Sequence, residues 1–197
     1  MDSDLAESVQ ALKTVFEKRL IPANFGTNDQ AVVKALKQAL DLPDRYVAFL
    51  QAADPLDVET VTPTERVRFI PVAELAGEQL GYGQGDGDNP RMNGWREGWI
   101  VVAQGMLGDP YFLDTTRMDA EGDCPVMTAM SGAELRPVLC GSTFASFVAI
   151  LAAAMEVAED FGDGGLIPDD EFIFREALGP KVRVIDQAAL REGHWTS

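Results

Sequence analysis

Residues 105–116 read "GMLGDPYFLDTT": two glycines, an aspartate and a proline, then an apolar run closed by a second aspartate. Gly105 and Gly108 supply the backbone angles of a tight turn, and Asp109 is a natural turn acceptor. Upstream, "WIVVAQ" (99–104) is a β-branched and aromatic run of strand length, matched downstream by "YFLDTT" (111–116). The stretch is therefore predicted to be the turn and second strand of a hairpin. Two other readings fail. Side chains alternate along a strand, so Asp109 and Asp114 point to opposite faces and build no carboxylate pair for acid–base work. No helix follows "GMLG", so the anion site of a phosphate-binding loop is missing.

Working outward, "CPVMTAM" (124–130) reads as a further strand, and "RVRFIPV" (66–72) as an earlier one with Val67 and Phe69 on one side. Helical periodicity dominates the flanks. In residues 2–20, Leu5, Val9, Leu12, Val15 and Phe16 share a face, and Asp4 and Glu7 have capping-box spacing. "IPANFG" (21–26) breaks that helix. Thr27 and Gln30 frame a second one, with Val32, Val33, Leu36 and Leu40 inward. Pro43 suits the first turn of a third, whose apolar face is Tyr46, Phe49 and Leu50. "ADPLDVETVTPTE" (53–65) reads as a loop, by its prolines and acids. "VAELAGEQL" (72–80) suggests a short helix, and "GYGQGDGDNPRMNG" (81–94) a long glycine-rich loop. The clearest helix is 142–160, capped by Ser142, with Phe144, Phe147, Val148, Leu151 and Met155 at helical spacing. "DDEFIFREALG" (169–179) looks helical, and "KVRVI" (181–185) has the alternation of a short strand. Helices, then strands, then helices predict an α+β fold, one domain over residues 1–197, with a mainly antiparallel sheet flanked by helices.

The chain carries 32 acidic against 16 basic residues, a formal charge of −16. The excess is concentrated: between Asp109 and Glu176 there are fourteen acids and three bases. Such a surface repels phosphate backbones, which argues against nucleic acid as a direct partner and favours encounter with a basic protein. Acidity also serves plain solubility. The N-terminal "MDSDLAESVQ" has acids where a signal peptide needs bases and an apolar run. The most apolar stretch, 144–158, is too short to span a bilayer. The expectation is a cytoplasmic protein off the membrane.

Motifs for catalysis or metal binding are weak. His194 is the only histidine, and Cys124 and Cys140 are distant from it in sequence, so no zinc site or serine triad suggests itself. In "DFGDGGLIPDDE" (160–171), Asp160, Gly165, Ile167 and Glu171 suit four positions of a calcium loop, but Gly162 and Gly164 stand where two ligands are needed. "GYGQGDG" lacks the strand–loop–helix order of a nucleotide fingerprint. The expectation is no catalysis and no cofactor. Trp99, opening a strand, is expected in the core. Trp95, in the loop before it, is either core or an exposed interface anchor, since tryptophan is favoured in that role.

Three stretches together resemble the SUKH superfamily, which comprises fungal cell-wall-assembly regulators of the Smi/Knr type and many bacterial toxin-immunity proteins. They are "LPDRYVAFL" (42–50), "GWIVVAQGMLGDPYFLDTT" (98–116), and the pair "CPVMTAM" and "STFASFVAIL" (124–151). They occur in the family's order and span about residues 41–151. The resemblance implies a protein-binding module without catalytic residues. Its foremost reading is an immunity protein that neutralises a basic toxin, such as a nuclease, through an acidic surface. The alternative is a regulatory scaffold with no toxin, and an enzyme stands third. The residues assigned to partner binding are Trp95, Asp109, Asp114, Glu159, Asp160 and Asp163, with Asp109 and Asp114 alternatively turn acceptors.

Overall fold

The structure is a computed structural model that describes residues 1–88, 90–129, 135–161 and 168–196. It begins with α1 (Ser3–Lys18), whose Leu5, Val9, Leu12 and Phe16 are buried. β1 (Asn24–Gly26), α2 (Gln30–Leu40) and α3 (Asp44–Ala52) follow, then β2 (Asp54–Asp57), β3 (Glu59–Val61) and β4 (Arg66–Phe69). A single turn, α4 (Val72–Leu75), and a long glycine-rich segment lead to β5 (Trp99–Gly105) and β6 (Pro110–Asp114). β7 (Val126–Thr128), β8 (Val138–Gly141), α5 (Phe144–Ala158), α6 (Pro168–Ile185) and α7 (Gln187–Glu192) complete the chain.

β3 to β8 form one sheet in chain order, each strand antiparallel to the next. β1 and β2 make a separate antiparallel ribbon. The architecture is α+β, with an antiparallel sheet and flanking helices, as the pattern of periodicities predicts. β5 and β6 are the hairpin: Trp99 lies across from Asp114, Val101 from Phe112 and Ala103 from Tyr111, with a bulge at Val102.

Both faces of the hairpin are covered, which is why every residue of β6 is buried. On one face Tyr111 and Phe69 pack on Phe147 of α5, at ring distances of 5.4 and 6.1 Å. α5 in turn packs against α1 and α6, so apolar residues almost encircle it, as a fully enclosed helix requires. On the other face Phe112 and Trp99, 4.6 Å apart, are roofed by Trp95 of the glycine-rich segment, 4.9 Å from Phe112. That segment folds back on the sheet. Gln79 pins its start by accepting from Val101 N and donating to Val101 O, both at 3.0 Å.

Several local expectations change. The 53–65 stretch contains β2 and β3 rather than loop alone. Pro55 is accommodated because β2 pairs only with β1, in a two-stranded ribbon where a missing N–H is tolerated. No capping box forms at Asp4 and Glu7; Asp2 occupies the cap position, and Asp4 instead contacts Arg45 at 3.0 Å. Asp29, not Thr27, caps α2, accepting from Ala31 N at 2.7 Å, and Val32 faces solvent. Thr143 caps α5 in a reciprocal box with Ser146, one residue beyond the expected Ser142. "KVRVI" is the last part of α6, not a strand: Val182 is buried while Val184 is exposed.

Candidate partner-binding surface at the hairpin end of the sheet

The turn between β5 and β6 is closed by Gly105 N donating to Asp109 O at 2.8 Å and Gly108 N donating to Gly105 O at 3.0 Å. Gly108 has φ +83°, which a side chain would disfavour. Between the glycines, Met106 and Leu107 stand 52 % and 82 % exposed, although both are strongly apolar. Tyr82, reaching from the folded-back segment, donates its hydroxyl to Gly108 O at 3.1 Å and braces the tip.

Carboxylates surround this tip. Glu65, in the β3–β4 turn, lies against the hairpin so closely that a Cβ on Gly105 would meet its Oε1 at 3.1 Å. Glu78 accepts from Gln104 Nε2 at 2.8 Å, and Asp109 ends the turn itself. The nearby cation Arg68 is shared between Glu74 at 2.9 Å and Glu78 at 3.6 Å, so its charge is spent locally. Two tyrosines register the negative field. Burial pushes the Tyr82 hydroxyl above its usual range, and Glu78 and Asp109 push it further. Burial raises Tyr111 well above its usual value, with Glu65 adding to it. Tyr111 Oη also lies 3.1 Å from His194 Nε2, which is 3.4 Å from Glu65, so the lone histidine joins this end of the sheet.

The residues assigned from sequence divide into groups. Asp109 lies at the tip, half-buried. Glu159 and Asp160 follow α5 and are exposed, with Glu159 holding Lys18 at 2.7 Å. Arg19 ties that region to the same end of the sheet, donating to Val61 O of β3 at 3.0 Å and to Met155 O of α5 at 3.2 Å. Trp95 is 5 % exposed and cannot be a surface anchor; it packs between Tyr82, Trp99 and Phe112 and donates Nε1 to Trp99 O at 3.2 Å. Asp114 is buried at the far end of β6. It serves as the turn acceptor, taking bonds from Thr116 N at 3.3 Å and Thr116 Oγ1 at 2.5 Å. Asp163 lies outside the described residues, as does most of the calcium-like loop. Sequence reasoning missed Met106, Leu107, Glu65 and Glu78. The signal for the first two was present: a Met-Leu pair between glycines, where a solvated turn favours polar residues.

Among the described residues, no group of three or more His, Cys, Asp or Glu could hold a metal ion, and no helix is long and apolar enough to cross a membrane. A groove of about 570 Å³ between the end of α2 and the glycine-rich segment is lined by Arg91 and Arg96 together with Asp41 and Glu97.

A six-stranded antiparallel meander with helices on one face and the folded-back segment on the other, offering a braced turn at the end of its central hairpin, is the α+β domain that carries this surface. The model of the SMI1/KNR4 family (SUKH-1) matches residues 27–150, and the chain belongs to that family. The match runs from just before α2 into the middle of α5, leaving α1, α6 and α7 outside it. No curated protein and no solved structure matches the chain.

Proposed function

We propose that this protein binds another protein through the hairpin end of its sheet, and that the partner is a toxin whose cationic surface it masks. The observation that carries the reading is the exposed Met106–Leu107 tip set among Glu65, Glu78 and Asp109. A desolvatable apolar knob ringed by charge is how interfaces concentrate energy at the centre and steer encounter from the rim. The rigid support suits this, since Tyr82 and the closed turn hold the tip before any partner arrives. Glu159 and Asp160 extend the acidic field toward the same end, and a nuclease would present the complementary charge. Membership of the SMI1/KNR4 family supports a binding role, immune or regulatory, rather than catalysis.

Calorimetric titration against the toxin encoded by a neighbouring gene tests the proposal. Saturable heat, lost on Leu107→Asp, is expected, together with protection of cells expressing the toxin. Absence of both heat and protection would overturn it in favour of a regulatory scaffold with no toxin.

A further inference from the structure

α6 lies beyond the family match and buries only one of its faces, through Phe174, Leu178 and Val182. The opposite face is apolar as well. Ile173, Ala177, Pro180 and Val184 are all exposed, Ile173 at 54 % and Val184 at 87 %. Their spacing of i, i+4, i+7, i+11 is that of a helix–helix seam. Phe172, 72 % exposed, flanks the stripe and lines a groove of about 510 Å³ with Glu176, Gly179 and Arg183.

We infer that this face is the interface of a homodimer in which two α6 helices pair antiparallel about a two-fold axis near Leu178 and Gly179. The pattern is complementary to its own inverse. A two-fold there sets Ile173 against Val184 of the second copy and Ala177 against Pro180, and each contact occurs twice. Ala177, beside the axis, is small enough for close approach. At 100° per residue, Phe172, Glu176 and Arg183 fall on one flank of the stripe. In an antiparallel pair each flank meets its own mate, so Arg183 of each copy reaches Glu176 and Phe172 of the other. Neither Glu176 nor Arg183 has an ion pair among the described residues, and one helix cannot pair them, being seven positions apart. A second copy satisfies both charges and covers the stripe, whereas a uniformly basic partner would leave Arg183 opposed by like charge.

Sedimentation velocity from about 1 μM to about 1 mM tests this, a range set by an interface of one helix pair. Reversible dimerisation is expected. Val184→Glu should weaken it about a hundredfold while leaving the thermal melt unchanged, because Val184 is exposed in the monomer. Glu176→Arg and Arg183→Glu should each weaken it about tenfold, and the two together should restore it. A chain carrying Ile173→Cys and Val184→Cys should oxidise to a covalent dimer, while Ile173→Cys alone should not; this readout stands even where a charge substitution perturbs folding. A monomer throughout the range, a dimer indifferent to Val184→Glu, or crosslinking by Ile173→Cys alone would overturn the inference.

Discussion

The carboxylate of Asp186 joins the start of α7 to the start of α5 by accepting Ser142 N at 2.5 Å and Ser142 Oγ at 2.9 Å. It also accepts Ser146 Oγ at 2.9 Å and caps α7 through Ala188 N and Ala189 N, both at 3.0 Å. Burial works against its ionisation, but bonds from Ser142, Ala189 and Ser146 outweigh that and hold its pKa below the usual 3.8. A carboxyl depressed by folding stabilises above its unfolded pKa, and the contribution is lost as pH falls through the folded value. Asp186→Ala should therefore lower stability by about 3 kcal/mol at pH 7. In urea titrations the gap between variant and parent should shrink below pH 4, approximately the unfolded carboxylate pKa.

Gly141 ends β8 where the chain turns toward α5. A Cβ there would meet Phe147 N at 2.7 Å and Phe147 Cα at 2.9 Å, both backbone atoms that cannot step aside. Gly141→Ala is expected to destabilise by about 1–3 kcal/mol, read as a lower urea midpoint at constant slope.

Trp195 is buried, donates Nε1 to Cys140 O at 2.8 Å and lies 6.4 Å from Phe147. Although beyond the family match, it is part of the core. Trp195→Ala should reduce stability by about 3–5 kcal/mol, and its tryptophan emission should redshift with the parent's unfolding transition.

Tyr46 Oη is buried with no hydrogen-bond partner among the described residues, while the ring stacks on Phe49 and meets Phe144 edge-on at 5.0 Å. Removing the hydroxyl keeps the packing and relieves the desolvated group. Tyr46→Phe should raise stability by about 1 kcal/mol, and a lowered melting temperature would contradict this account.

Leu107→Ala at the hairpin tip should leave the melting temperature within error, because Leu107 is 82 % exposed. Against a cognate partner it should cost about 2 kcal/mol of binding, roughly a thirtyfold rise in Kd. Added salt should slow association with the unmodified protein more than it speeds dissociation.

The hairpin was legible because its turn glycines and flanking β-branched runs are local signals, and α5 because Phe144, Phe147, Leu151 and Met155 repeat at helical spacing. β2 was not, because Pro55 argues against a strand unless its partner is known to be a lone ribbon. "KVRVI" alternates as a strand does, but residues 182 and 184 differ because the helix behind them continues. Of the candidate surface, Asp109, Glu159 and Asp160 were legible as acids, Met106 and Leu107 left only the signal of an apolar pair between glycines, and the two remaining carboxylates were not legible. Glu65 and Glu78 come to the tip from other strands and turns. Trp95 is withdrawn from the surface by a backward fold of its loop that no local pattern encodes.

The sheet grows in chain order, so each strand after β3 pairs with the strand that precedes it in the chain. α1 is the exception, since its partner α5 lies more than a hundred residues downstream and closing so long a span is slow relative to local pairing. Assembly should thus zip from β3 to β8 and end when the leading helix seats. Pulse-labelled amides of β5 and β6 should gain protection before those of α1, and simultaneous protection would contradict that order.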